Sequence, residues 1–513
     1  MVDTDPHDSG SGVSRRSFVK AAGASGVAVG LAGCISSSGG DGGGGDGSGG
    51  SGGDGGGGGN SEQIEDTVPE GEITVPWAAA SREADAADAI NEALHNAGLA
   101  DNISVDVVAG SNVTDNRQAQ YQQWLGSGRE TPTLLMMDSG WTIPFIARDS
   151  LQNLSESIPS DMVSTIEDSY FEASVNTAQA QNGDLYAQPL FPDFPTMQYR
   201  KDLLEQSGYG SSDFSTWATE SMSWQEFSEI TAQVQGDTDT ETGFTFQANA
   251  YEGLSCCDFN EFMSSWGGAY FGGLDNLFGP VGDRPITVDE EQVLDSIRMI
   301  RTFIYGEEDP ESLDGYAGNI SPEAVLQWTE EPSRQPFTGG SVVMHRNWPY
   351  SININGAEDA FGEDLGVMPI PYGVTADEAQ YEGTGGPVAA LGGWHIALNP
   401  NAPSEQKQAA VQIMRAMQQD QFMLDYMEIL GLLPPKPELF NSDRAANVPV
   451  IGRYVDQLRV AGENAIPRPV TVVWPQQSGR IAQQVNTTYA QDKSPEQAMS
   501  DLKGQLESIE QSA

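Results

Sequence analysis

The stretch Thr133-Leu134-Leu135-Met136-Met137-Asp138-Ser139-Gly140-Trp141 decides how the chain is read. Residues 133–137 form a short apolar run with no polar face, the pattern of a strand buried on both sides in a parallel sheet. Asp138 closes that run. In open α/β sheets ligands bind in the crevice outside the carboxyl ends of strands, so Asp138 and the Ser139-Gly140-Trp141 after it are site candidates on position alone. Working outward, residues 72–78 and 103–108 are strand-like. Between them Ala86, Ala87, Ile90, Ala93, Leu94 and Ala97 recur at helical spacing behind a Ser81 cap, which makes a βαβ unit. A second helical stretch over 116–125 leads into the 133–137 strand, and the alternation predicts an α/β fold.

Further along, Ser223-Trp224-Gln225-Glu226 and Ser494-Pro495-Glu496-Gln497 are capping-box openings, the second with proline at the first helical position. Residues 188–200 carry three prolines among large apolar side chains and cannot be helical throughout, so they read as a crossover between lobes. No apolar run of 18 residues follows residue 60, so nothing in the body after it is expected to span a membrane.

The chain has 513 residues, with 74 Asp+Glu against 24 Lys+Arg and a formal charge of −50. That balance excludes a nucleic-acid binder, which needs basic patches to displace counterions from phosphates. Its length predicts two or more domains. An acid-rich chain with few lysines stays hydrated in concentrated salt, where the Debye length falls to roughly 3 Å at 1 M, so a halophilic source is expected. Three cysteines are too few for a disulfide framework, and adjacent Cys256 and Cys257 read as two small buried thiols rather than as a vicinal disulfide.

The first 33 residues read as a signal peptide. Arg15 and Arg16 precede an apolar stretch too short to cross a bilayer, in a pattern that resembles a twin-arginine export signal. Leu31-Ala32-Gly33-Cys34 resembles a lipobox, with Cys34 as the lipidated residue. Residues 36–60 include 16 glycines among Ser, Asp and Asn, so 34–68 reads as a disordered tether reaching about 25–30 Å. Within it Gly49-Gly50-Ser51-Gly52-Gly53 matches a hydrolase pattern with neither strand nor helix around it, and carries no weight.

Metal and nucleophile chemistry find little support. His7, His95, His345 and His395 show no metal-binding spacing, and acidic residues such as Glu252, Asp258 and Glu261 signal nothing by themselves in so acidic a chain. Aromatic residues near polar groups say more, because ring faces pack on the C–H surfaces of pyranoses while carboxylates and Arg take the hydroxyls. The clusters are Trp141, Tyr251, Trp266, Asn347-Trp348-Pro349-Tyr350, Gly392-Gly393-Trp394 and Val473-Trp474. In Trp348-Pro349-Tyr350 the proline forces a turn or extended segment from which both rings project.

Six motifs occur in the order found in ABC-transporter sugar-binding proteins: Asp184-Leu185-Tyr186-Ala187-Gln188-Pro189, Tyr199-Arg200-Lys201-Asp202-Leu203-Leu204, Thr329-Glu330-Glu331-Pro332, Arg346-Asn347-Trp348-Pro349-Tyr350, Leu391-Gly392-Gly393-Trp394-His395-Ile396 and Pro467-Arg468-Pro469. The chain resembles the trehalose/maltose-binding branch of extracellular solute-binding proteins, sugar-binding family 1, from about residue 72 to 509. The resemblance implies a two-lobed, type II periplasmic-binding-protein fold with a central cleft and hinge crossovers. Lobe 1 would be 69–187 plus 392–432, and lobe 2 would be 188–391 plus 433–513. It implies ligand contacts from Glu83, Arg117, Asp138, Asp193, Trp348, Tyr350, Gly393, Trp394 and Arg468, with no cofactor and no metal. The partners implied are a sugar and the subunits of a membrane permease with their ATPase, around a monomer on the outer face of the cell membrane. Phe191 stands where relatives tend to carry Tyr, and residues 373–386 form a longer acidic insertion.

On this reading sugar binds first to Asp138 and Arg117, and closure brings Trp348, Trp394 and Arg468 over it. The same fold with a polyol or glycerol-phosphate as cargo is one alternative. A surface glycoside hydrolase using Asp138 and Asp193 as acid and base is the other.

Overall fold

The computed structural model describes residues 63–512. The twin arginines, the Cys34 lipobox, His7 and the glycine-rich stretch to residue 60 lie outside them. Ten strands are described: β1 (Ile73–Ala79), β2 (Ile103–Ala109), β3 (Leu134–Asp138), β4 (Ala187–Asp193), β5 (Thr196–Arg200), β6 (Thr242–Thr245), β7 (Val342–Asn347), β8 (Leu365–Met368), β9 (Ala389–Leu398) and β10 (Ala465–Pro467).

They form two sheets. The first runs β10-β9-β3-β1-β2, with β4 also on β9, and the second runs β6-β7-β5-β8. β1 is parallel to both β2 and β3, and every residue of β3 is buried, as the apolar 133–137 run predicts, although its other neighbour, β9, is antiparallel. β9 returns antiparallel between β3 and β4, setting Trp394 opposite both Asp138 and Phe191, and Gly392 opposite Asp193. The proline-rich crossover leaves the first sheet at Asp193 and enters the second at Thr196.

Helices cover the sheets along apolar stripes. The Ala87–Asn96 helix buries Ile90, Ala93 and Leu94, and Glu291–Tyr305 buries Val293, Leu294, Ile297, Ile300 and Ile304. Ser223 and Ser494 cap their helices by accepting from the Glu226 and Gln497 amides. Ser81 does not cap. It is the first residue of a short helix, Ser81–Asp85, behind Ala80, and its hydroxyl donates to Asn112 Oδ1 (3.0 Å). The helical run expected from 86 onward is present as Ala87–Asn96, and Ala86 separates it from this short helix.

Cys256 and Cys257 are buried, as expected, but joined to each other as a disulfide in a π-helical turn, Leu254–Asp258. The expectation of free thiols is corrected: burial does not separate a thiol from half of a disulfide, since both are small and apolar. Among the described residues no helix is long and apolar enough to cross a membrane, and no three His, Cys, Asp or Glu side chains gather as a metal site.

Candidate functional site

One cavity of about 550 Å³ lies where the carboxyl ends of β1, β2 and β3 meet residues that follow β6 and β7. After β1 come Ala80, Ser81, Arg82 and Asp85; after β2, Asn112, Val113, Thr114 and Arg117; at the end of β3, Asp138. From the other side come Tyr251, Thr329, Glu330, Glu331, Trp348 and Tyr350. Of the residues expected from sequence, Arg117, Asp138, Asp193, Trp348, Tyr350, Gly393, Trp394 and Arg468 line it. Glu83 does not. It is fully buried behind Arg82, whose Nε it holds at 3.0 Å, and it accepts from Tyr426 (3.4 Å).

The first-sheet wall is tied together by charge. Arg468 pairs through Nη2 with Asp138 (2.9 Å) and through Nη1 with Glu252 (3.3 Å), and Nη2 also donates to Ser139 Oγ (3.1 Å). Gly140 packs so closely beneath this pair that a Cβ there would lie 2.5 Å from Arg468 Nη1 and 2.9 Å from Glu252 Oε1. Arg117 donates Nε and Nη2 to the Ser111 carbonyl (3.0 and 2.7 Å) and lies over the Trp394 ring at 4.5 Å. Its Nη1 is buried with no hydrogen-bond partner among the described residues. Trp141 supports Trp394 edge-on at 6.3 Å from within the core, and its indole N–H donates to Thr114 (3.0 Å). Gly393 has φ +139, and a Cβ there would meet the Phe191 carbonyl at 2.8 Å, so β9 passes this point only with glycine.

These placements correct the expected order of assembly. Trp394 pairs directly with Asp138, and Arg468 follows β10, which pairs with β9 in the first sheet. Both stand beside Asp138 rather than arriving from across the cleft. A three-residue strand such as β10 is too short to show a period in sequence.

The opposite wall is aromatic and acidic. Tyr350 donates to Glu331 (2.7 Å) and Tyr251 to Glu330 (2.8 Å). Beneath Trp348, at 4.8 Å from its ring, sits the fully buried Arg346. Arg346 forks onto Glu261 (2.8 and 2.8 Å), donates to Gln247 (2.6 Å) and pairs with Asp258 (3.1 Å). Glu261 also accepts the Ala390 amide of β9 (3.0 Å), which links this network to the first sheet. The acidic side chains that carried no signal in sequence are therefore partners of buried arginines.

Arg82 bridges the walls, with its guanidinium 5.6 Å from the Phe191 ring and 5.4 Å from the Tyr350 ring. Sequence reading passed over it in favour of Glu83, although its place just beyond β1 gives the positional signal that singled out Asp138. Burial pushes Asp193 up to about 7 against the pull of Arg82 and Arg346. Burial, and next the charge of Asp138, push Glu252 up to about 8 although Arg468 pulls the other way. Burial pulls His345 and His395 down to about 3, so both are neutral structural groups bonded to Thr245 and Thr177. Phe191 lies behind Arg82, and residues 373–386 do not reach the cavity; Gly373 packs on the Trp266 ring. Neither departure falls on the lining.

The arrangement can enclose a polar, ring-shaped solute between aromatic faces and fixed hydrogen-bonding groups. A family model described as bacterial extracellular solute-binding protein matches residues 86–450. A probable ABC transporter-binding protein of Deinococcus radiodurans is 28% identical over 415 residues, covering 79% of this chain and 86% of that protein. Among solved structures, maltose-bound T. maritima MalE3 matches with a TM-score of 0.69 at 24% identity, over 85% of this chain and 99% of that one. The GacH receptor of Streptomyces glaucescens matches with 0.66 at 18%, over 86% and 99%. UgpB of Mycobacterium tuberculosis matches with 0.62 at 17%, over 86% and 98%. With the sheets, the crossover and the cleft in place, the fold is the two-lobed, maltose-binding-protein-like one, and the chain belongs to the family of bacterial extracellular solute-binding proteins.

Proposed function

We propose that this protein captures a neutral oligosaccharide, a disaccharide such as maltose or trehalose, between its two lobes and delivers it to an ABC permease as a monomer. The observation that carries the reading is the cavity of about 550 Å³ in which aromatic rings from both sides face hydrogen-bonding groups already fixed in ion pairs. That volume lies within the usual range of about 300–1,000 Å³ for small-molecule sites. Trp348, Tyr350 and Trp394 would stack on pyranose faces, while Asp138, Asp193 and the free Nη1 of Arg117 would take hydroxyls.

The charges on the lining favour a neutral cargo. Asp85, Asp138, Asp193, Glu330 and Glu331 face Arg82, Arg117 and Arg468, two of which are already paired with carboxylates. A phosphate would meet more acid than base. The relatives span the choice: the T. maritima structure holds maltose, an Agrobacterium radiobacter protein holds ribitol and UgpB holds glycerophosphocholine. Hydrolysis by Asp138 and Asp193 is disfavoured because Asp138 is committed to Arg468 and to the Gly140 amide (2.7 Å). Export by the twin-arginine route and lipidation at Cys34 would hold the protein at the outer face of the membrane.

The test is a thermal-shift panel of mono- and disaccharides, polyols and glycerol-phosphates in high salt. A disaccharide should give the largest rise, about 2.7 kcal/mol of stabilisation at a hundred times its Kd. A rise confined to glycerol-phosphates would overturn the cargo. Release of reducing sugar during incubation would overturn the transport reading.

A further inference from the structure

The disulfide between Cys256 and Cys257 lies in the cavity wall beside Tyr251. The turn that carries it is held from several directions. Glu252 pairs with Arg468 (3.3 Å), Tyr270 donates to the Ser255 carbonyl (2.6 Å), and the Ser255 and Ser478 hydroxyls share a hydrogen bond (2.7 Å). The disulfide is thus presented to the cavity on anchored backbone. It brings neither charge nor hydrogen-bond donor to a lining otherwise rich in both, and its sulfurs are polarisable.

Side chains adjacent in sequence point in different directions around a helical turn. The bond between them keeps both sulfurs on one side. Resting on the reading of the cavity as a sugar site, we propose that the Cys256–Cys257 disulfide is a specificity-determining platform. It packs against the C–H face of one pyranose ring next to Tyr251, as a flat apolar surface that takes a ring and rejects a flexible polyol chain.

Two measurements on the folded, full-length protein test this, with maltose and trehalose as the first probes. The double variant Cys256→Ala with Cys257→Ala should fold, because a loop closed between neighbours removes little chain entropy from the unfolded state. It should bind the preferred disaccharide about tenfold more weakly and discriminate less against ribitol. In the unaltered protein, a water-soluble phosphine reduces the disulfide to two thiols, which take their protons from water, while the phosphine becomes its oxide with oxygen from that water. Saturating disaccharide should slow this reduction at least tenfold, a readout that needs no variant. Affinity within twofold of wild type in the folded double variant, or a reduction rate unchanged by saturating sugar, overturns the platform. Wild-type protein that binds no sugar at all overturns the reading of the site and the platform with it.

Discussion

The two walls of the cleft are built on different principles. On the first-sheet side, Asp138, Arg468, Arg117 and Trp394 are locked to one another and to backbone before any solute arrives. On the other, Trp348 projects over a buried charge cluster and Tyr350 lies against Arg82, and their acidic neighbours are held by tyrosine hydroxyls. The difference teaches a division of labour. The charged wall loses little entropy on binding and sets which hydroxyls are satisfied, whereas the aromatic wall supplies the apolar area that makes closure favourable.

The largest effect should come from Arg346→Met, which leaves Glu261 and Asp258 buried without their counterion. Removing one partner from a buried pair costs about 3–5 kcal/mol, to be read by denaturant unfolding. A neutral result would mean that the aromatic wall does not depend on the charge beneath it. Next, Trp348→Ala should weaken sugar binding by about a hundredfold or more while the free protein melts near the wild-type temperature. Asp138→Asn, which keeps the shape of the charged wall, should cost about tenfold by titration calorimetry. If Asp138→Asn costs more than Trp348→Ala, the division is reversed.

Asp193 sharpens the comparison through pH. Burial raises its carboxyl from 3.8 to about 7, so the folded protein holds that proton more tightly than the unfolded chain does. Its contribution is fully present below about pH 4 and is lost as pH rises to about 7. The free protein should therefore lose melting temperature over that window, and Asp193→Asn should flatten that part of the profile. The smallest effect is expected for Phe191→Tyr. The ring lies behind Arg82 rather than on the lining, so affinity should change by less than about threefold.

How much of this could be read from sequence follows the range of the forces involved. β3 and Asp138 were legible because a strand buried on both faces leaves an unbroken apolar run, and its end marks a cleft. Trp348 and Tyr350 were legible as aromatics flanking a proline and both line the cavity, although Tyr350 opens a helix, Tyr350–Asn355, rather than projecting from a loop. The roles of Glu252, Asp258 and Glu261 were not, since each is defined by an arginine 85 to 216 residues away. Arg82 was missed although position pointed to it, and the place of Arg468 depends on a strand of three residues. The disulfide was hidden because buried neighbouring cysteines look the same in either redox state.

The passage from β4 to β5 sets one more limit. Three Cα steps separate Asp193 from Thr196, which at 3.8 Å each reach about 11 Å. So short a strap keeps the two sheets within that reach of each other at this point. Any swing of one sheet against the other would have its least travel at Asp193 and its most at the far lip of the cleft.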